Sequence, residues 1–580
     1  MRSLIEWTSL VFIKERVEKM YNRKECNPEE TIKKIKRILK KSKINVVEKE
    51  MININNSFYS TRVELKEIKG IGTNGKGITK EYALASAYAE LMERLQSNFL
   101  LKSAFLNKED MLIYKDEKYL EHNKFYNKFS EFIEVNSLND LVRYNDKYRY
   151  YTSFENIIDN EKEDLPIRLI NFLTHSNGLC SGNSREEALV QGICEIFERY
   201  CYKKIIFEEI KVKNIVIENL EQYPISEQLK ELKKMGFEYK IKDCSLGGKF
   251  PVVGFMLLKK NTKYLFTVGS DPNFNIALQR CITEALQGLK KENIEAKMKN
   301  IKNCYEKYKE KYGEEFIQNN WLKCYSSNAG IHPNSMFLDD EIDIKKLPFK
   351  DVKDNKEALK AILEIAKKNK MNIYIKDYSM MGFNTFKVYI PNYSEIETIK
   401  PINLKISANM KKIKSIYFNL FQKQENIEFE KIFYECSKNI KYTELIKPSN
   451  LMGINCLVKG DYFALDYFYV FIIYLINLKR YEETIKYIEE RLKSDIDQFE
   501  KNYLNELKDV ISKESKSNKI NEINHIVFNT EMFLKKIEAS QCPNCKKCPA
   551  RGKCKYKCWK KINSTLVQKY SDFIENKKEF

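Results

Sequence analysis

The 580-residue chain contains only four histidines, His122, His175, His332 and His525. A Ser-His or Cys-His hydrolase needs a base beside its nucleophile, and no nucleophile motif accompanies any of the four. His175, just before Ser176-Asn177-Gly178, lies near a motif taken up below, although a packed or solvent-facing role suits it equally. Long apolar runs are also missing. The most hydrophobic, YFYVFIIYLINL at 467–478, is too short to span a bilayer and reads as a buried helix. The stretch MRSLIEWTSLVFIKERVEKM has one basic residue ahead of a short apolar run broken by Glu6, and no small-residue cleavage site, so it does not read as a signal peptide. No aromatic-and-basic RNA-binding signature appears. A cytosolic location without a membrane partner is expected.

What is present is globular. Composition is 43% hydrophobic, 12% aromatic and 31% charged, which excludes wholesale disorder, and the length predicts two or three domains. The net charge of +20 would suit a polyanionic partner, but most lysine pairs sit among Glu and Asp on helix faces such as NLKRYEETIKYIEERLKSD. That arrangement reads as compositional bias and solvated surface. Of 15 cysteines, ten are scattered singly, as reduced cytosolic thiols are. Cys180, Cys194 and Cys281 are expected to be buried small hydrophobes.

NPEETIKKIKRILKKSKIN, residues 27 to 45, puts apolar positions at helical spacing behind an acidic first turn. Short alternating strands follow, with further strand candidates in KFPVVGFMLLKK, KYLFTVGSD and MNIYIKDYS and helices between them. Such interleaving predicts an α/β or α+β domain over residues 1–404. From 405 to 535 the pattern is purely helical, and LDYFYVFIIYLINLKRYEETIKYIEERL resembles a tetratricopeptide-like helical pair. Residues 515–530 begin as a polar linker, and 536–580 form a Cys-rich tail.

The main signal is internal repetition. ALASAYAELMER from Ala83, ALVQGICEIFER from Ala188 and ALQRCITEALQG from Ala277 share one frame. Positions three, seven and ten after each Ala hold Ser86, Glu90 and Glu93; Gln191, Glu195 and Glu198; Arg280, Glu284 and Gln287. These positions fall on one helical face. The flanking Ala, Leu, Ile, Phe and Met would bury much of each helix. Clustered buried carboxylates repel one another and lose hydration unless a cation neutralises them. Their hard oxygens suit Mg²⁺ shared with substrate phosphates, so a magnesium-nucleotide site is expected. Arg94, Arg199 and Arg280 are placed to meet phosphate oxygens.

GIGTNGKG, which precedes the first of these helices, invites a simpler reading. Gly70-x-Gly72-x-x-Gly75 matches a dinucleotide fingerprint, and Gly70 through Lys76 match a Walker loop up to its last position, where Gly77 replaces the required Ser or Thr. The preceding STRVELKEIKG suits a half-exposed antiparallel strand rather than a buried parallel one. The loop is therefore expected to position or contact a ligand, while the helix holds the metal. Asn74-Gly75 before Thr79 and Asn177-Gly178 before Ser184 read as glycine turns leading into hydroxyl N-caps, with Glu187 completing a capping box. Helix starts of this kind can receive anions.

These residues resemble the YcaO family, ATP-using enzymes that activate backbone amides or related groups in peptides. The family pattern Ser-x-x-x-Glu-x-x-Glu-Arg, Asn-Gly-x-x-x-Gly-Asn before Glu-x-x-Glu-Arg, and Glu-x-x-Gln is matched by Ser86, Glu90, Glu93 and Arg94; by Asn177, Gly178, Gly182, Asn183, Glu195, Glu198 and Arg199; and by Glu284 with Gln287. Likeness runs through SLGGKFPVV and most of residues 24–400, and aligns Lys24 and Thr31 with nucleotide-contacting positions. It implies ATP and Mg²⁺ as cofactors, phosphoryl transfer to an amide-derived oxygen, a peptide or ribosomal-protein substrate, and a homodimer. In length and in its helical C-terminal domain the chain most resembles bacterial members described as accessory factors for β-methylthiolation of an aspartate in a small-subunit ribosomal protein. Azoline-forming members often carry a proline-rich tail, and NKKEF is not one. A thioamide- or azoline-forming enzyme for a small peptide is the alternative, and a non-catalytic nucleotide-binding scaffold a third.

CPNCKKCPARGKCKYKC clusters Cys542, Cys545, Cys548, Cys554 and Cys558. Four thiolates at this spacing can complete a zinc site or ligate an iron–sulfur cluster. Cys545 through Cys558 also resemble the cysteine core of SPASM segments, which bind auxiliary clusters in radical SAM enzymes. The segment departs from the ribosomal accessory proteins and points to a sulfur-donor or radical SAM partner.

Overall fold

A computed structural model describes residues 23–99 apart from 69, 116–130, 148–300, 332–397, 467–493, 498–514 and 556–578, with short pieces at 139–143 and 305–321. Helix α1 (Pro28–Lys41) starts as expected. The Asn27 side chain accepts from Glu29 N, Glu29 and Glu30 lie in the first turn, and Lys40 and Lys41 lie in the last. Strands β1 (Val46–Glu48), β2 (Ile52–Ile54), β3 (Phe58–Leu65) and β4 (Gly72–Gly77) form an antiparallel sheet, in which β1 and β2 share one edge of β3 and β4 takes the other. Helix α2 (Lys80–Gln96) then packs back on β3 and β4.

The expected loop of residues 70–77 is thus largely a strand. Asn74 and Gly75 lie inside β4, so no glycine turn surrounds them; Thr79, the N-cap of α2, still accepts from Tyr82 N at 3.3 Å. β3 is antiparallel as expected but more deeply buried than half-exposed, because α2 lies against it and α4, described below, also reaches it.

Two larger sheets follow. The first has strand order β5 (Lys118–Tyr119), β6 (Tyr150–Asn156), β15 (Tyr374–Asp377), β16 (Asn384–Tyr389) and β8 (Leu179–Gly182), with β7 (Glu161–Leu165) also paired to β6. The second runs β13 (Lys299–Asn300), β12 (Lys263–Ser270), β11 (Val252–Lys259), β10 (Glu238–Asp243), β9 (Asn214–Val216) and β14 (Glu341–Asp343). Among the described pairs only β14 with β9 is parallel, which makes this mixed domain α+β. Helix α3 (Arg185–Phe207) packs on β8, β16 and β12, and helix α4 (Phe274–Leu286) on β11 and β12. Helix α5 (Asn355–Lys368) covers α3.

The continuous apolar run of β11 follows from this double cover. Val253, Phe255 and Leu257 join the core beneath α4, while Val252, Met256 and Leu258 join the core around α3.

The repeated Ala-Leu frame also has a packing cause. Each of the three helices crosses a glycine of the strand before it. A Cβ on Gly75 would lie 2.0 Å from Ala83 O, one on Gly269 2.4 Å from Ala277 O, and one on Gly182 2.8 Å from Ala188 N. Two residues before the glycine, Thr73 and Thr267 donate their hydroxyls to the carbonyls of Ala87 (2.8 Å) and Cys281 (2.9 Å). The middle copy places Cys180 and Gly192 at those positions, and a Cβ on Gly192 would meet the Cys180 sulfur at 2.7 Å. The Cys180 side chain lies so close to this helix that position 192 has no room for a Cβ. Gln96 staples the end of α2 to the β16 hairpin, donating to Phe383 O and Thr385 Oγ1 and accepting from Met381 N.

Beyond residue 466, α6 (Tyr467–Asn477), α7 (Tyr481–Leu492) and α8 (Gln498–Glu514) share an apolar cluster that includes Phe468, Ile472, Ile488 and Leu507. The apolar run at 467–478 is therefore a buried helix, and no described helix is long and apolar enough to cross a membrane. Helix α9 (Tyr556–Lys578) touches the first large sheet's surroundings, where the Tyr570 hydroxyl donates to Asp116 at 3.2 Å. The 404/405 boundary, the 515–530 linker, His525, Cys542, Cys545, Cys548 and Cys554 lie outside the described residues, and Cys558 enters only through its place on α9.

Gly75→Ala is expected to cost about 3 kcal/mol, because the two nearest obstructing groups, Ala83 O and Ala87 N, are backbone. Gly247→Ala, which has open space but a φ of +74°, is expected to cost about 1 kcal/mol. Thermal midpoints of the two variants against wild type check the difference.

Candidate functional site

The three striped helices meet around a cavity of about 890 Å³. Ser86, Glu90, Glu93 and Arg94 enter from α2; Gln191, Glu195, Glu198 and Arg199 from α3; Arg280 and Glu284 from α4, with Gln287 as its C-cap. Lys24, Thr31 and Asn183 complete another part of the wall. Asn183 donates its side-chain amide to Thr31 Oγ1 at 3.0 Å. All fourteen residues picked out near the helices and the N-terminus thus line one space.

The carboxylates are held by cations of their own chain. Arg94 meets Glu90 at 3.4 Å and Glu93 at 3.3 Å, Arg199 meets Glu195 at 2.5 Å, and Arg280 reaches across from α4 to Glu198 at 3.7 Å. Lys76, on β4, pairs with Glu284. Two of these pairs are one turn apart on a single helix, Arg94 with Glu93 joins neighbours on α2, and the other two tie separate elements together. Compensation is weakest at Glu93. Burial pushes its carboxyl up to about 8, opposed by Arg94 and reinforced by the Glu90 and Glu195 charges. Burial, with Arg280 nearby, draws Lys76 down to about 8, against the pull of Glu198, Glu90 and Glu195.

Among the described residues no group of three or more His, Cys, Asp or Glu side chains stands close enough to grip a metal ion. The donor chemistry nevertheless fits a hard dication with phosphate. A carboxyl held near 8 gains from a divalent cation, and the buried Arg94 Nη1 and Arg280 Nε have no hydrogen-bond partner.

Lys76, in the segment expected to position or contact a ligand, lines the cavity although its Walker match is incomplete. Some other lining residues carry no sequence motif. Arg23 and Asp271 form a buried ion pair in the wall. Glu187 lines the cavity too, and its capping role differs from expectation. Ser184 Oγ accepts from Glu187 N at 3.1 Å, but the Glu187 carboxylate accepts from Asn183 N and Glu25 N, each at 3.3 Å, and from Lys24 at 3.0 Å. The reciprocal half of the capping box is therefore given to the segment that crosses from the N-terminal side. Behind the wall, buried Lys387 donates to Thr174 Oγ1, His175 O and Asn177 O at 2.8–3.0 Å and fixes the turn before β8. Burial draws it to about 7, helped by Arg94 and Arg199 and opposed by the Glu195 and Glu93 charges. No motif marks it.

Cys180, Cys194 and Cys281 are fully buried, and burial raises each thiol above its ordinary range, as expected of packing residues. His175 does not line the cavity; its ring meets Glu397 at 2.8 Å. His332 is buried between the hydroxyls of Tyr202 and Tyr264, and His122 is held by Asn123 and Asn139.

A mixed α/β domain that gathers carboxylates and guanidinium groups from repeated strand–helix units defines the class of protein. Residues 74–394 match the family model described as YcaO cyclodehydratase, ATP- and Mg²⁺-binding, so the chain belongs to the YcaO family. It is 29% identical over 399 residues, 64% of its own length, to the ribosomal protein S12 methylthiotransferase accessory factor YcaO of Escherichia coli. It is 32% identical over 286 residues, 46% of its length, to an uncharacterised protein of Haemophilus influenzae. These matches span 66% and 49% of the two relatives. A YcaO structure from Methanopyrus kandleri bound with AMPPCP and Mg²⁺ is similar at 16% identity and a TM-score of 0.42, covering 64% of this chain and 93% of that one.

The raised Glu93 carboxyl sets a pH dependence. Between the ordinary value of 4.5 and about 8 the folded state binds a proton that the unfolded state has released, so stability falls as pH rises through that window. Glu93→Gln is expected to raise the thermal midpoint of the nucleotide-free protein at pH 8 by an amount worth about 1–3 kcal/mol, and by little at pH 5. Melting curves of both proteins across this range check it.

Proposed function

We propose that this YcaO protein uses ATP and Mg²⁺ to activate an amide or related oxygen by phosphorylation, as an accessory factor in β-methylthiolation of a small-subunit ribosomal protein. The observation that carries the ATP and Mg²⁺ reading is the convergence of four acidic side chains and three guanidinium groups from separate helices on one cavity. The accessory role is supported by the 29% identity to the Escherichia coli factor.

In this reading Glu90, Glu93, Glu195 and Glu198 hold Mg²⁺, which supplies charge neutralisation to the phosphates when bound. Arg94, Arg199 and Arg280 exchange their carboxylate partners for phosphate oxygens, a geometry the guanidinium fork suits. Lys24, Thr31, Ser86, Asn183, Gln191, Glu284 and Gln287 position the remainder of the nucleotide. Positioning and electrostatic stabilisation supply most of the catalysis in phosphoryl transfer, and both are properties of a rigid polar cavity. Residues 405–535 act as a tetratricopeptide-like partner surface, and the cysteines of 536–580 bind an iron–sulfur cluster or Zn²⁺ and engage a sulfur-donor or radical SAM partner. The working unit is a homodimer in the cytoplasm.

Glu195→Gln and Glu198→Gln are each expected to abolish Mg-ATP binding measured by calorimetry; unchanged affinity in both would end the proposal. Mass spectrometry of ribosomal proteins from a deletion strain is expected to reveal the unmodified aspartate, and a change confined to a small peptide would reassign the substrate. Anaerobic purification with iron, sulfide and zinc analysis is expected to return stoichiometric metal that is lost when the tail cysteines are replaced by Ser.

A further inference from the structure

Lys76 lines the cavity without a phosphate-loop motif to account for it. The Walker reading fails at Gly77, and the segment is a strand rather than a phosphate loop. Strand geometry nevertheless directs its side chain to the cavity. Gly75 and Gly77 share one face of β4 and are pressed against α2, where added Cβ atoms would meet Ala83 and Ala87 backbone at 2.0–2.7 Å. Lys76 must then face the other way, towards α4, and its ammonium pairs with Glu284 while lying within electrostatic reach of Glu90, Glu195, Glu198 and Arg280.

Its place along the cavity is particular. One part of the wall is tied together by Lys24 with Glu187 and by Thr31 with Asn183. A different part is formed by β2, β3 and the end of α4, where Ser60 stands opposite Lys76 in the strand register and accepts from Gly288 N at 3.1 Å. Lys76 stands where that second part meets the carboxylate set. A polyphosphate whose nucleoside lay on the Lys24 and Thr31 side would direct its terminal group there.

Resting on the nucleotide reading above, we propose that Lys76 recognises the terminal phosphate of the bound nucleotide and so distinguishes a triphosphate from a diphosphate. In the nucleotide-free protein Glu284 holds this ammonium; in the complex a phosphate oxygen takes its place. Met has similar length and no charge, whereas Arg keeps the charge, so the pair Lys76→Met and Lys76→Arg separates charge from packing.

The test is calorimetry of wild type, Lys76→Met and Lys76→Arg with AMPPCP and with ADP, each in excess Mg²⁺, with melting curves to confirm folding. Lys76→Met is expected to weaken AMPPCP by about tenfold or more and ADP by less than about twofold, and Lys76→Arg to restore most of the difference. Equal weakening of both nucleotides, or no change in either, would overturn the assignment. If Lys76→Met does not fold, Lys76→Arg carries the test through an altered AMPPCP-to-ADP ratio, and an unaltered ratio counts against it. Wild-type protein that binds neither nucleotide would defeat the underlying nucleotide reading, an outcome distinct from a selective failure at Lys76.

Discussion

The site depends on pairing each carboxylate of the helix stripes, buried at Glu93 and Glu198 and part-exposed at Glu90, Glu195 and Glu284, with a cation of the same chain. An unpaired ion removed from water costs several kcal/mol even after relaxation, and a set of acidic side chains in one cavity multiplies that cost through mutual repulsion. Arg94, Arg199, Arg280 and Lys76 offset it by neutralising Glu90, Glu93, Glu195, Glu198 and Glu284 in place. Two pairs need only helical spacing. Arg280 with Glu198 and Lys76 with Glu284 need α3 and α4, or β4 and α4, to stand at fixed separation. Glu93, sharing Arg94 with Glu90, is left with the largest residual cost, which appears as its raised pKa.

Fixed separation comes from backbone packing. Each of the three strand–helix units brings its helix onto a glycine so closely that a methyl group would collide with helix backbone. Side chains in such an interface cannot drift, and the polar stripe on the adjoining face of each helix is aimed by the same contact. The hydroxyl bonds of Thr73 and Thr267 repeat this arrangement in two units, and the Cys180–Gly192 pair replaces it in the third. The glycines of the GTNGKG stretch thus serve packing, and the lysine between them serves the cavity.

The sequence carried the three helices, their stripe and fourteen of the lining residues, because a polar residue repeated at three, seven and ten within an apolar frame has few structural explanations. It also carried β11 and β12, whose consecutive apolar residues exceed what a one-sided strand needs. What it did not carry depends on distant partners. Nothing local distinguishes Lys387 from any other strand lysine until Thr174 and two carbonyls close around it. Arg23 and Asp271 are 248 residues apart. Glu187 occupies a capping-box position, and only the fold shows its carboxylate serving the crossing segment instead. Gly75 in a turn and Gly75 under a helix look alike when the helix has not yet been placed.

The two-sided burial of β11 bears on how its pairing with β12 is fixed. A one-residue slip would exchange Val253, Phe255 and Leu257 for Val252, Met256 and Leu258, and both sets are apolar. Polarity therefore discriminates poorly between the two alignments. Shape and the turn discriminate instead: Gly254 lies under the Phe266 ring and the Cys244 sulfur with no room for a Cβ, and Lys260 and Asn261 both adopt positive φ in the tight connection between the strands. Alignment of this hairpin rests on one missing methyl group and two left-handed residues.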